Sequence, residues 1–166
     1  PEAIIEEGAI PTLTVEAARY REVALRLKND EGLAFDFMIC MTGVDWGDSL
    51  GVTSLLQSTK HEHKIFLKTF TTDRENPELP TVADIWETAN LNEREVYDFL
   101  GIRFINHPDM RRLFLRNDWV GYPLRKDYDA NPEINPVRLY SEETFDTMPT
   151  FEADSHGGEV SEKENI

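Results

Sequence analysis

The densest chemistry in this sequence lies between residues 93 and 128. Glu93-Arg94-Glu95 opens the stretch, Asp98 and Gly101 follow, and His107-Pro108 leads into Arg111-Arg112. It closes on Pro123-Leu124-Arg125-Lys126-Asp127-Tyr128. Residues 103–126 carry six bases against two acids, in a chain whose net charge is −15. Phe104, Leu113, Leu115 and Trp119 are interleaved with the arginines. Arginines and aromatics set together are the preferred anchors of a protein interface. Guanidinium groups also pair with carboxylates, bidentately when desolvated. Glu93, Glu95 and Asp98 could therefore hold Arg111, Arg112 or Arg125 and stitch an irregular loop onto a helix. A catalytic reading would rest on Glu95, His107 and Arg125, or on Arg125-Lys126 as an anion site. Either needs convergent partners that the spacing does not supply. The interface and the lattice are compatible: the lattice holds a loop, and the loop docks.

Other candidates are weaker. His61-Glu62-His63 would set two imidazoles on one face of a strand, but it falls in a hairpin loop with no further ligand. A zinc site takes three or four convergent protein ligands, so an exposed turn is expected. Asp45 and Asp48, beside Trp46, could form a carboxylate pair, yet paired acids need a shaped cleft and split pKa values. Turn chemistry accounts for both. The nine glycines never adopt G-x-G-x-x-G or P-loop spacing. A single cysteine, Cys40, allows no disulfide within the chain and fits a reducing compartment. It falls short of the four thiolates of an ordinary iron–sulfur cluster. No catalytic, metal or cofactor residue is expected here.

The elements that must position the stretch are legible upstream. Thr14 is a candidate N-cap for a helix over about 16–29, with Val23 and Leu27 on one face and Gly32 as exit. Residues 34–41 read as a buried strand, 43–48 as a turn, and 52–58 and 64–71 as two further strands. Strand 64–71 is apolar on both faces, which suggests cover on two sides, by a helix or by another subunit. Residues 73–80 read as a loop. Thr81 with Asp84 resembles a capping box for a helix bearing Val82, Ile85, Trp86 and Ala89. Asn92 with Glu95 repeats that signature for a short helix over about 93–100, stopped by Gly101. The fold class is α+β: a small, mainly antiparallel sheet with helices on one face. An irregular loop region and an extended C-terminal tail follow.

Two domains are expected, a body over 1–128 and an acidic tail over 129–166. The tail holds ten acids against two bases, which is −8 of the total charge, and the body accounts for −7. An acidic body disfavours free nucleic-acid or membrane-surface binding. No run of about 20 apolar residues is present to span a bilayer. The tail alone could not offset its ordering entropy, yet it keeps Ile134, Val137, Leu139, Tyr140, Phe145, Met148 and Phe151. Residues 130–151 are expected to run extended over a partner, with the last fifteen free.

Residues 93–128 closely resemble the signature of the thirty-kilodalton family of respiratory complex I, the C subunit of NADH-quinone oxidoreductases. That family's pattern runs E-R-E-x-x-D-x-x-G, then F-x-x-H-P and R-R, and closes on P-L-R-K-D. It is met here by Glu93-Arg94-Glu95, Asp98, Gly101, Phe104, His107-Pro108, Arg111-Arg112 and Pro123-Leu124-Arg125-Lys126-Asp127. Phe114 stands where a smaller aliphatic residue is common, and Asp129 where many members have proline. The resemblance extends over about residues 12–128.

The resemblance implies a cofactor-free structural subunit in the peripheral arm of a proton-translocating NADH:quinone oxidoreductase. It would lie on the cytoplasmic or matrix side of the membrane. Its neighbours would be the quinone-site subunit, which is hydrogenase large-subunit-like, the subunit holding the terminal iron–sulfur cluster, and other peripheral-arm subunits. FMN and iron–sulfur clusters are then expected in partner subunits and none in this chain. The signature residues named above become the expected interface set. Related subunits also serve ferredoxin-, deazaflavin- and hydrogenase-linked membrane complexes, and this chain does not read the electron donor. A soluble adaptor outside any redox complex would suit a basic loop and an extended tail equally.

Overall fold

The computed structural model describes residues 3–130. The expectations for the tail fall on residues 131–166 and so lie outside the described residues. Nine elements follow in order: β1 (Ala3–Glu6), β2 (Thr12–Glu16), α1 (Ala17–Asn29), β3 (Phe37–Asp45), β4 (Leu50–Gln57), β5 (Lys64–Thr71), β6 (Glu78–Pro80), α2 (Glu87–Leu100) and β7 (Arg103–Ile105). Five strands form one sheet in the order β1-β2-β5-β4-β3, and β6 pairs with β7 in a separate two-stranded ribbon. Within the large sheet only β2 and β5 run parallel. The protein is α+β with a mainly antiparallel sheet.

Strand alternation sets the core. Leu13, Val15, Leu50, Val52, Ser54, Leu56, Leu67 and Thr69 are buried, and their registers bring them to one face. Tyr20, Ala24 and Leu27 of α1 and Val96 and Leu100 of α2 join the same cluster. Gly43 lets α2 lie on β3, because a Cβ there would sit 2.5 Å from Leu100 Cδ1. Each fully buried Leu or Val stabilises the fold by about 1.5–3 kcal/mol. The opposite face carries Phe66 and Lys68, half-buried, and Phe70, exposed. Among the described residues, then, β5 is fully covered on one face and partly on the other, where Trp46 packs against Lys68 and Phe70.

Several expectations need correction. Thr14 is not an N-cap; it lies within β2, which pairs with β5 and runs straight into α1, and α1 has no side-chain cap. The expected turn over 43–48 starts later, because Gly43, Val44 and Asp45 still pair with Val52, Gly51 and Leu50. Gly47, at φ 98°, makes the reversal. The loop over 73–80 contains β6, whose bracketing Pro77 and Pro80 hide it from propensity. Thr81 and Asp84 do not open a helix. Residues 82–86 form a turn closed by Trp86 N–H to the Val82 carbonyl at 3.0 Å, and one helix then runs Glu87–Leu100 in place of the two expected. Asn92 caps nothing; it lies inside α2 and donates to the Thr88 carbonyl.

Candidate functional site

The loop after β7 has no regular structure, and α2 supplies the groups that hold it. Asp98 is fully buried on α2. Its Oδ2 accepts three consecutive backbone N–H groups, from Leu113 at 3.0 Å, Phe114 at 2.6 Å and Leu115 at 2.9 Å. Its Oδ1 accepts from Arg112 at 2.9 Å. Burial alone would raise this carboxyl, but the Leu115 N–H, the Arg112 guanidinium and the Phe114 and Leu113 N–H groups outweigh it and hold the pKa below the usual range. Arg112 continues to the carbonyls of Asp98, Trp119 and Gly121. One guanidinium thus ties α2 to two further points of the loop.

Arg94, one turn earlier, is also buried and donates to the carbonyls of Arg111 and Arg112, both at 3.3 Å. Arg125 donates to the Leu100 carbonyl at 2.6 Å and the Arg74 carbonyl at 2.9 Å. His107 places Nε2 3.0 Å from the Asn90 carbonyl, while its Nδ1 accepts from the Asp109 N–H. Gly101 ends α2 in the left-handed region at φ 73°, and its bare Cα receives the ring of Tyr122. That ring has the Arg112 guanidinium 5.4 Å away and that of Arg125 4.8 Å away.

The far end of the loop is fixed by Asp45, expected only as a turn residue. It accepts from both terminal nitrogens of the Arg74 guanidinium, at 2.7 and 3.0 Å, and from the Lys126 N–H at 2.9 Å. The Arg74 guanidinium, first, holds the Asp45 carboxyl far below the usual carboxylate range. Arg74 also reaches Asp127 at 3.1 Å. Sequence reasoning misses Asp45, Arg74 and Tyr122 as anchors. The aromatic beside Gly121 is the one local signal for Tyr122; a pairing 29 residues apart, from Asp45 to Arg74, leaves none.

The expected lattice therefore exists with different partners. Arg112 pairs with Asp98, one of the expected combinations. Arg125 ends on carbonyls, Arg111 pairs with Asp109 at 2.9 Å, Glu95 is exposed, and Glu93 holds Thr81 and Val82 instead of an arginine. His61 and His63 place their Nε2 atoms 2.9 and 2.8 Å from the carbonyls of Glu31 and Leu33. Among the described residues no group of three or more His, Cys, Asp or Glu could hold a metal ion.

What the loop turns outward mixes apolar residues with charges of both signs. Phe114 is 64% exposed and stacks on Phe99 at 5.7 Å; Leu91, Val120 and Leu124 are exposed nearby in sequence or along α2. Pro108, Arg103, Arg111, Arg116, Lys126 and Asp127 are exposed, and Pro123 is half-buried. Among the described residues no helix is long and apolar enough to cross a membrane.

Residues 13–133 match the family described as "Respiratory-chain NADH dehydrogenase, 30 Kd subunit". The chain is 50% identical over 155 residues to the NADH-quinone oxidoreductase C/D subunit of Phocaeicola vulgatus, covering 93% of this chain and 29% of that protein. It is 48% identical over 133 residues to the NADH-quinone oxidoreductase C subunit of Chloroherpeton thalassium, covering 78% of this chain and 55% of that one. The C subunit of Cupriavidus metallidurans is 37% identical over 152 residues, with 86% and 73% covered. The chain thus spans less than a third of the C/D relative. A solved structure titled "Structure of the membrane-bound sulfane sulfur reductase (MBS), an archaeal respiratory membrane complex" contains a chain that superposes with TM-score 0.68 at 26% identity. The superposition covers 81% of this chain and 82% of that one.

Proposed function

This chain belongs to the 30 Kd subunit family of respiratory-chain NADH dehydrogenase, and on that premise we propose that it is a non-catalytic scaffold subunit in the peripheral arm of a proton-translocating NADH:quinone oxidoreductase. The observation that carries the reading is the inward direction of the signature. Arg94, Asp98, His107, Arg112 and Arg125 all end on groups of this same chain, so their work is to fix a loop. The loop then presents Phe114, Leu124, Arg111 and Lys126 outward, the mixture an interface uses as anchors. Glu95, Pro108, Pro123 and Asp127 complete the exposed or half-exposed part of the docking set.

The neighbour proposed for this surface is the polypeptide equivalent to the D part of the C/D relatives. In those relatives one chain bears both letters in its name, which supports adjacency of the two parts. The quinone site and the terminal iron–sulfur cluster would belong to neighbours, with FMN and the other clusters further along the arm. The protein would be held to the membrane through those partners, on the cytoplasmic or matrix side. A second reading keeps the scaffold and changes the electron donor. The likeness to a chain of an archaeal sulfane sulfur reductase complex favours it.

Affinity purification of the tagged chain from membranes in mild detergent, with an iron assay on the eluate, tests the proposal. Co-elution with iron–sulfur subunits supports it, and the input subunits recovered name the donor. A lone, iron-free chain in the soluble fraction would leave an adaptor role instead. Arg112→Ala is expected to reduce assembled complex more than turnover per complex, because it leaves Asp98 buried without its cation at a cost of about 3–5 kcal/mol. Normal assembly with collapsed turnover would contradict the scaffold role at that residue.

A further inference from the structure

Under the docking loop, the core keeps a carboxylate with no cation against it. Glu93 is fully buried on α2. Its Oε1 accepts from the Val82 N–H at 2.7 Å, and its Oε2 faces the Thr81 hydroxyl at 2.5 Å. The imidazole of His107, whose side chain is also fully buried, lies with Nε2 3.9 Å from Oε2.

That imidazole has hydrogen-bond partners of its own on both ring nitrogens. Nδ1 accepts from the Asp109 N–H at 3.0 Å, so the ring proton sits on Nε2 and is directed to the Asn90 carbonyl at 3.0 Å. A second proton, on Nδ1, would point at the Asp109 N–H. The other charged groups around Glu93 are already matched. Arg21 of α1 is bidentate on Asp84 of the 82–86 turn, at 2.6 and 2.5 Å. Arg94 of α2 serves the carbonyls of Arg111 and Arg112 and lies 3.6 Å from Asp109. Tyr20 of α1 is buried and neutral, its pKa pushed up by burial. Burial accordingly drives the Glu93 carboxyl up to about 7, against the lowering effect of Thr81 and Val82.

A cleft of about 400 Å³ is lined by Thr81, whose hydroxyl faces Glu93 Oε2. Thr81, Pro80 and Ala83 form one wall, Ile105, Asn106 and Pro108 another, and the Arg21–Asp84 pair borders it. Thr81 therefore both lines the cleft and bonds Glu93. The residues on both sides of His107 line it too.

We propose that Glu93 is a buried proton-binding site, and that losing its proton draws water in through this cleft and loosens residues 81–83 from α2. With the proton on, Oε2–H donates to the Thr81 oxygen while Oε1 still accepts from Val82. Both contacts to Glu93 are kept, with the Thr81 hydroxyl hydrogen turned away from it, and no charge is buried. With the proton off, a carboxylate stays in the core on two neutral donors, and solvation is the way to relieve it.

The sign follows from the raised folded value. The contribution is fully present below the unfolded glutamate pKa and is lost as pH rises through about 7. In the full chain the unfolding equilibrium constant should rise on the order of 100-fold between about pH 5 and about pH 9. Amide-exchange protection at Val82, corrected for the intrinsic rate, should fall over the same range. Glu93→Gln, which keeps an acceptor for Val82, should make both flat. Isotope-edited infrared spectroscopy of the unmutated chain gives a reading that needs no variant. A protonated-carboxyl band titrating near neutrality supports the site, and one titrating at the ordinary glutamate value overturns it. A titration found on the His107 ring nitrogens by NMR would also overturn it, as would an unchanged pH dependence in Glu93→Gln.

Discussion

Asp98→Ala is expected to cost about 3–5 kcal/mol of folding stability, the penalty for breaking a buried pair from one side, and to detach the loop before the rest of the domain unfolds. Four donors converge on this carboxylate: three backbone N–H groups and one guanidinium. Removing it leaves Arg112 largely buried, 12% exposed, beside a gap, and leaves Leu113, Phe114 and Leu115 with unsatisfied N–H groups. Denaturant unfolding measures the loss, and limited proteolysis within residues 110–120 reads the detachment. Loop cleavage at the rate of the unmutated protein would show that Asp98 does not hold it. Asp98→Asn should fall between, since an amide oxygen can still accept backbone N–H groups while its NH₂ opposes Arg112. Because the folded pKa is depressed, the contribution of Asp98 is present above the unfolded carboxylate value and is lost as pH falls through the folded one. This is the opposite sense to Glu93, about one and a half turns earlier on the same helix.

Gly101→Ala is the second large effect, about 2–5 kcal/mol. Two terms combine. A side chain held at φ 73° costs about 1–2 kcal/mol, and overpacking costs about 1–3 kcal/mol. The overpacking is specific: the new Cβ would sit 2.4 Å from Tyr122 Cε2. Tyr122 has little freedom to retreat, with Tyr97 edge-on at 6.2 Å and two guanidinium groups at its ring. Thermal unfolding of the variant gives the magnitude. Arg125→Lys provides a control, because it keeps the charge but loses the planar fork that reaches the Leu100 and Arg74 carbonyls. If Gly101→Ala were as stable as the parent, the close approach of Tyr122 would not be a constraint.

Much of the fold is legible in the sequence, for reasons that can be named residue by residue. The strand over 64–71 has its expected limits because β-branched and aromatic residues fill it and polar turns flank it. The helix expected over 16–29 is one residue from the observed α1, as its apolar stripe is local information. What is not legible is non-local. Thr81 has true capping chemistry, donating to Glu93 and accepting from the Ala83 N–H. But its carboxylate partner lies twelve residues on, so the same signature that marks a helix start here closes a turn against another helix. The three-residue strands β6 and β7 exist only through each other, and no periodicity can betray them.

The site divides in the same way. Charge spacing in residues 93–127 is enough to expect a lattice, and the family resemblance enough to say where it matters. The identities of the partners stay hidden because most are backbone carbonyls and N–H groups, which every sequence has everywhere. Arg125 reads as a carboxylate partner or, with Lys126, an anion site; it is a clamp on the Leu100 and Arg74 carbonyls. Asp45 reads as a turn former because Gly47 and Asp48 follow it, and its N–H partner at Gly47 is indeed there. Its larger task, receiving Arg74 and Lys126, depends on strands meeting in space.

The segment from Leu115 to Trp119 is a short closed circuit. Its entry is pinned by the Leu115 N–H on Asp98 and its exit by the Trp119 carbonyl on Arg112. Arg116, Asn117 and Asp118 lie between those pins and face water. Entropy of ring closure grows only with the logarithm of length, by about 0.6 kcal/mol per doubling. Extra residues at Asn117 would therefore lengthen the circuit without disturbing its pins, so the frame tolerates insertion at this tip at little cost.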